Sequence, residues 1–245
     1  MENNAQIGSH STWNWPIVGT VHADTILTTW LAMLVTLLFL AWIGRSYRNP
    51  SADRTQTVFE GVITYISDLI YGTLGKEGEP FVPFFIALFI YLFVLNQFGV
   101  FPFKELGLPF GGSPTADLNT TVPYALFIFV MIWFVAIRKQ GLGAFKHLIE
   151  PFPVLLPINL LEQLVRPVTL AARLFFNIFV GEILLFIIAS LIESGVKIGP
   201  FNLSLAVSVV PLLIQFFNFF VGTVQAFIFT LLAIVYLSLT ISEEH

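Results

Sequence analysis

Five runs of apolar residues constrain this chain more than any other feature. They are Thr25 to Ile43, Pro80 to Phe101, Asn119 to Ile137, Ile158 to Ile192 and Asn202 to Ile241. A helix crosses the ~30 Å hydrocarbon core of a bilayer in about 20 apolar residues. At that depth no water is present to bond backbone amides and carbonyls, so such runs must be helical. Only 11% of the residues are charged and mean hydropathy is +0.85, whereas a soluble domain carries about 25% charged residues. The fold class that follows is an all-α polytopic membrane protein with five transmembrane helices, residues 1–245 forming a single integral membrane domain. The last two runs would each measure roughly 50 Å or more as helices at ~1.5 Å per residue. They must therefore be long and tilted, kinked, or extended beyond the core.

The segments between the runs set the orientation. Residues 1–24 are polar and hold no Lys or Arg; they lack the basic start and apolar centre of a signal peptide, which leaves an outer N-terminal tail that is retained. Residues 57–74 mix Phe59, Val62, Ile63, Ile66, Leu69 and Ile70 with Glu60, Ser67 and Asp68 at helical spacing, the pattern of an amphipathic helix lying in the membrane interface. With the N-terminus outside, the inner loops carry Arg45, Arg48, Arg54, Lys76, Arg138, Lys139 and Lys146, and the outer loops only Lys104 and Lys197. Basic residues collect on the cytoplasmic side, so the expected arrangement is N-terminus outside and C-terminus cytoplasmic.

Several function classes are excluded. There are no cysteines, hence no disulfides, thiolate metal sites or cysteine nucleophiles. A net charge of -4 without a basic patch gives no case for nucleic-acid binding. Gly-rich phosphate loops, HExxH pairs and nucleophile elbows are missing. The histidines stand at 10, 22, 147 and 245, outside the runs, so a metal or haem site within the bundle would have no imidazole ligand. No cofactor is expected.

The polar residues within the runs carry the functional signal. A charge at bilayer depth costs at least about 2.5–3.5 kcal/mol and should face protein or water. The fourth run contains Glu162, Gln163, Arg166, Arg173, Asn177 and Glu182; the fifth contains Gln215, Asn218, Gly222 and Gln225. At ~100° per residue, Glu162, Arg166, Arg173 and Asn177 share one stripe. Glu182 falls on the opposite side and ~13.5 Å further along, which separates it from Arg173. Gln215 and Asn218 also suit ordinary interhelical hydrogen bonds, Glu162 and Arg166 suit interfacial charges, and Arg173 suits a buried salt bridge. An arginine stays protonated at ordinary pH, so Arg173 cannot relay protons by titrating. It can act as a fixed positive barrier or discharge a passing carboxylate. Glu182 can titrate, and burial would raise its pKa into a range useful for relay.

Arg166-Pro-Val-Thr-Leu-Ala-Ala-Arg173-Leu-Phe-Phe-Asn177-Ile-Phe-Val-Gly181-Glu182 resembles the signature of subunit a of the rotary F-type ATP synthase. So do Gln225-Ala-Phe-Ile-Phe-Thr-Leu-Leu-Ala-Ile-Val-Tyr236-Leu, Pro114-Thr-Ala-Asp117-Leu-Asn119-Thr-Thr and Leu155-Leu-Pro-Ile-Asn-Leu-Leu-Glu162. The likeness covers most of the chain from residue 80 onward, with the loop motifs closest to the plastid-type branch. It implies a stationary subunit beside a ring of c subunits, each with one mid-membrane carboxylate. Two offset half-channels lead protons to and from that carboxylate. Arg173 matches the essential arginine, Asn177 and Gln225 its polar neighbours, and Glu182 the carboxylate of the outer half-channel. Asp117 and Asn119 match its outer mouth, and Glu162 a group of the exit channel. The implied partners are the c-ring, the peripheral-stalk b subunits, the rest of the F1Fo complex and the lipid bilayer. The chain itself would be non-catalytic, in a bacterial plasma membrane, with a thylakoid-type membrane as the alternative.

Two positions depart from the family pattern. Phe176 stands where the usual Leu-Phe-Gly-Asn has glycine, so a bulky side chain must be housed there. Asn218 stands where some members carry a histidine beside the outer glutamate, so Glu182 is expected to work through water and not through an imidazole. Rival readings are a Na⁺-translocating version of the same subunit, a self-contained secondary transporter and a structural anchor. A transporter would show inverted repeats, which the sequence lacks, and an anchor leaves an intramembrane arginine unexplained.

Overall fold

The computed structural model describes residues 12–15, 19–46, 54–100, 114–141, 143, 145, 152–193, 197–198, 201–202 and 204–241. The elements run β1 (Thr12–Trp15), β2 (Gly19–His22), α1 (Ala23–Ser46), α2 (Arg54–Leu74), α3 (Val82–Gln97), α4 (Leu118–Gln140), α5 (Leu156–Glu193), β3 (Lys197–Ile198), β4 (Phe201–Asn202) and α6 (Ser204–Ile241). Five helices are long and apolar enough to cross a membrane, and the protein is an all-α polytopic membrane protein.

Capping and glycine turns set the ends of α2 and α4. Asp117 caps the start of α4, its side chain accepting from the Asn119 N–H at 2.9 Å. Gly141, at φ 61°, ends α4, and Gly75, also at φ 61°, turns the chain out of α2 into a 3-10 segment, Gly75–Phe81. In that segment Gly78 is buried so closely that an added Cβ would lie 2.5 Å from Ile70 Cγ2. Thr28, Thr29 and Thr36 of α1 return their hydroxyls to carbonyls four residues back, which lets them sit in an apolar helix.

The expected bounds differ at several helix ends; Asn202, expected to open the last helix, lies in β4, and α6 starts at Ser204. The second run was read as helical from Pro80 to Phe101, but α3 covers only Val82–Gln97; Pro80 lies in the 3-10 segment and Phe98–Val100 form a turn. Phe101 lies outside the described residues. At ~1.5 Å per residue α3 measures about 24 Å, short for a bilayer, and the flanking turns make up the difference. The segment read as an outer tail contains an antiparallel hairpin, with Thr12 paired to His22 and Trp15 to Gly19.

The second half of α6 is the centre of the bundle. Ala226, Phe229, Ala233, Ile234 and Leu237 are buried against Phe85 and Leu92 of α3, Ile128 and Ile132 of α4, Leu170 and Leu174 of α5, and Ile66 and Ile70 of α2. The first half of α6 is different: Leu212, Leu213, Phe216, Phe217 and Phe220 are exposed. On α2, Ile66, Ile70 and Leu74 pack inward while Glu60, Tyr65 and Asp68 are exposed, an amphipathic division.

Contacts between helix ends define two faces. At one, Ser238 Oγ donates to Thr73 O (3.0 Å), Gln140 Nε2 donates to Thr240 O (3.4 Å) and Ile241 O (3.3 Å), and Lys139 pairs with Glu77. At the other, the starts of α1 and α4 meet through His22 and Asp117, and Thr115 donates to Asn96 Oδ1 near the end of α3 (2.9 Å). These are called the Gln140 face and the Asp117 face below.

Candidate functional site

Helix α5 carries most of the polar residues singled out from the sequence, and its two sides treat them differently. Gln163, Leu170, Leu174, Ile178 and Gly181 are buried on the packed side. Arg173, Phe176, Asn177 and Val180 are exposed on the other. Arg173 makes no hydrogen bond, ion pair or ring contact with any described residue. A permanent cation thus stands on an apolar outer surface of the chain.

Toward the Gln140 face, Arg166 is fully engaged. Its Nη2 donates to Glu162 Oε1 at 2.7 Å, one helical turn away, and its guanidinium lies 5.3 Å from the centre of the Tyr236 ring. The Glu162 side chain is 63% exposed and that of Arg166 18%.

Toward the Asp117 face, amides take over. Asn177 Nδ2 donates to Gln225 Oε1 at 2.6 Å, tying the exposed side of α5 to the buried side of α6. Gln225 is only 1% exposed, and its Nε2 has no hydrogen-bond partner among the described residues. A donor buried in that way wants a water or an incoming group. Asn218 lies against Gly181 so closely that a Cβ there would come within 2.4 Å of Asn218 Oδ1. Asn177, Ile178 and Asn218 line a cavity together with Asn96, Gly99 and Val100. Gln215 Nε2 donates to Val100 O at its edge.

Asp117 sits further along, buried, at the start of α4. Its Oδ1 accepts the Asn119 N–H; its Oδ2 accepts from Thr25 Oγ1 (3.4 Å) and faces His22 Nδ1 at 2.6 Å. The Asn119 side chain is exposed. Glu182 lies in α5 nine residues after Arg173, and its side chain is outside the described residues. Phe176, the glycine replacement, is 57% exposed and turns its ring onto Phe175, centres 5.2 Å apart. It is housed outside the α5–α6 seam and leaves that packing undisturbed.

Sequence reasoning missed several polar residues here. Asn96 ties α3 to α6 and to the turn before α4: its Nδ2 donates to Gly222 O at 3.0 Å and its Oδ1 accepts from Thr115. Gln97 Nε2 donates to Thr223 Oγ1 (3.2 Å) and Phe219 O (3.3 Å). Adjacent amides within an otherwise apolar run were a usable signal, by the same argument that singled out Arg173. His22 was set aside because it lies outside the spans. A family model described as ATP synthase A chain matches residues 26–238.

Proposed function

The chain belongs to the ATP synthase A chain family, and from that premise we propose that it conducts protons through two offset half-channels to the c-ring. Membership makes it a multi-pass Fo subunit that sits in the F1Fo complex with the c-ring. The observation that carries the finer reading is Arg173, exposed on the unpacked side of α5 and without a partner among the described residues. A cation in an apolar helix needs an anion or water. None of the described residues supplies one, which supports a carboxylate brought by the ring.

On this reading the outer half-channel starts at Asp117 and Asn119 and continues through the cavity lined by Asn96, Asn177 and Asn218. Glu182 is its carboxylate. The inner half-channel opens beside Glu162 and Arg166. A proton entering from outside neutralises a ring carboxylate, which lets that carboxylate turn into lipid. A carboxylate returning from the other side meets Arg173, whose charge favours the ionised form and strips the proton toward the inner exit. Arg173 also blocks direct passage between the half-channels, because a proton moving past a fixed positive charge in low dielectric is strongly repelled. The Asn177–Gln225 pair holds the polar surroundings of Arg173 in register. The peripheral-stalk b subunits, N-terminus outside, α2 in the inner interface and a bacterial plasma membrane complete the proposal, with a thylakoid-type membrane as the alternative.

The test is Arg173→Ala in the reconstituted complex. ATP-driven pumping should be lost and passive proton leak should rise. Near-normal coupled pumping would remove the basis of the reading. Varying Na⁺ and pH in the same assay identifies the ion.

A further inference from the structure

The N-terminal hairpin ends on His22, and His22 ends on Asp117. The two are 95 residues apart in sequence and 2.6 Å apart in space. Asp117 is badly placed to exchange protons with bulk water directly. Its side chain is 8% exposed, and its oxygens are occupied by the Asn119 N–H, the Thr25 hydroxyl and the imidazole. The imidazole is 32% exposed. It therefore spans the step from water to the buried carboxylate, and it is the side chain type that changes charge between about pH 5 and 8.

We propose that His22 is the proton-exchanging group at the outer mouth of the channel, passing protons between bulk water and Asp117. The inference rests on the reading of the chain as the ion-channel subunit. During inward flow, neutral imidazole takes a proton from the outer water and becomes imidazolium. The Nδ1–H bond then breaks, the proton moves to Asp117 Oδ2, and the imidazole is neutral again. The carboxylic acid formed passes its proton to water deeper in the channel and returns to carboxylate. Outward flow runs the same steps in reverse. The turn holding Asp117 also holds Thr115, whose hydroxyl bonds Asn96 on the cavity wall, so the mouth and the cavity are adjoining parts of one polar region. Among the described residues, the titratable groups of the elements packed there are Asp117 on α4 and Asp24 on α1, the latter buried beside the helix start. Thr25 and Asn119 add neutral groups, and β1 brings Thr12 opposite His22.

The experiment uses the whole complex in vesicles, with proton flux across the outer face measured as outer pH is varied over about 5–8. His22→Gln keeps a hydrogen-bond donor toward Asp117 but cannot titrate. It should lower flux at neutral pH by at least about tenfold and flatten the pH profile. His22→Ala should lower it similarly, with free imidazole added outside restoring flux. A wild-type rate and pH profile in His22→Gln overturns the proposal, as does failure of both variants to assemble, which would make His22 a purely structural tie. Flux that follows Na⁺ and ignores pH also overturns it. Arg173→Ala runs alongside: if that variant still pumps, the channel reading itself fails, whatever His22 does.

Discussion

Replacing Gly181 with alanine should separate the role of the α5–α6 seam from the role of the channel. A Cβ at 181 would lie 2.4 Å from Asn218 Oδ1, 2.9 Å from its Cγ and 3.1 Å from its Nδ2. The first two separations are shorter than real side chains tolerate. Either α5 backs away from α6 or the Asn218 amide swings aside. Overpacking of a well-packed interface typically destabilises by about 1–3 kcal/mol, and the lower end fits here because a side-chain amide can rotate where backbone cannot. Rotation, however, moves Asn218 off the cavity it lines with Asn96 and Asn177. Gly181→Ala should thus lose about 1–2 kcal/mol of stability, read by thermal unfolding of the purified complex, and should slow proton flux. Adding Asn218→Ala removes the clashing atoms. The double variant should regain most of the stability, a coupling of about 1 kcal/mol or more, but not the flux. If Gly181→Ala is as stable as wild type, or the two changes add independently, the close approach does not shape the seam and the reasoning is wrong.

Three further outcomes follow from the geometry. Asn96→Leu removes the hydrogen bonds to the Thr115 hydroxyl and the Gly222 carbonyl and should destabilise by about 1–3 kcal/mol, read by the same melt. Phe176→Gly removes an exposed side chain, so the folded chain should keep its helix content by circular dichroism after allowance for a glycine penalty of about 1 kcal/mol, while cross-linking yield to the ring changes. Glu162→Gln breaks a largely exposed ion pair and should alter stability by no more than about 1 kcal/mol; reduced pumping with an unchanged melt would place Glu162 in the inner path, and unchanged pumping would remove it from that path.

Spans were legible because lipid demands unbroken apolar helices, and a charge inside one stands out. Arg173 is the clearest case, and helical spacing was enough to put Asn177 on its stripe. Partners were less legible. Helical periodicity says which side of α5 holds Asn177, but its bond to Gln225, 48 residues away, depends on how α5 and α6 cross. Asn96 and Gln97 are the last two residues of α3; their amides stand out in the apolar run, but their bonds to α6 depend on how α3 and α6 pack. His22 was legible only as a polar residue before a span. Its place depends on a short hairpin and on the start of α4, neither of which has a strong local pattern. Residues that act through contact with distant elements were the ones the sequence concealed.

The uneven burial of α6 has a mechanical consequence. From Ala226 to Ile241 the helix is clamped on several sides, and Gln140 grips its last carbonyls. From Leu212 to Phe220 it is propped on one side, at Gln215 and Asn218, and open on the other. It is a beam fixed at one end. A sideways push from a turning neighbour bends the open half most and leaves the half beside Arg173 nearly still. The compliant part of the chain would then lie along Phe216 and Phe220, away from Arg173.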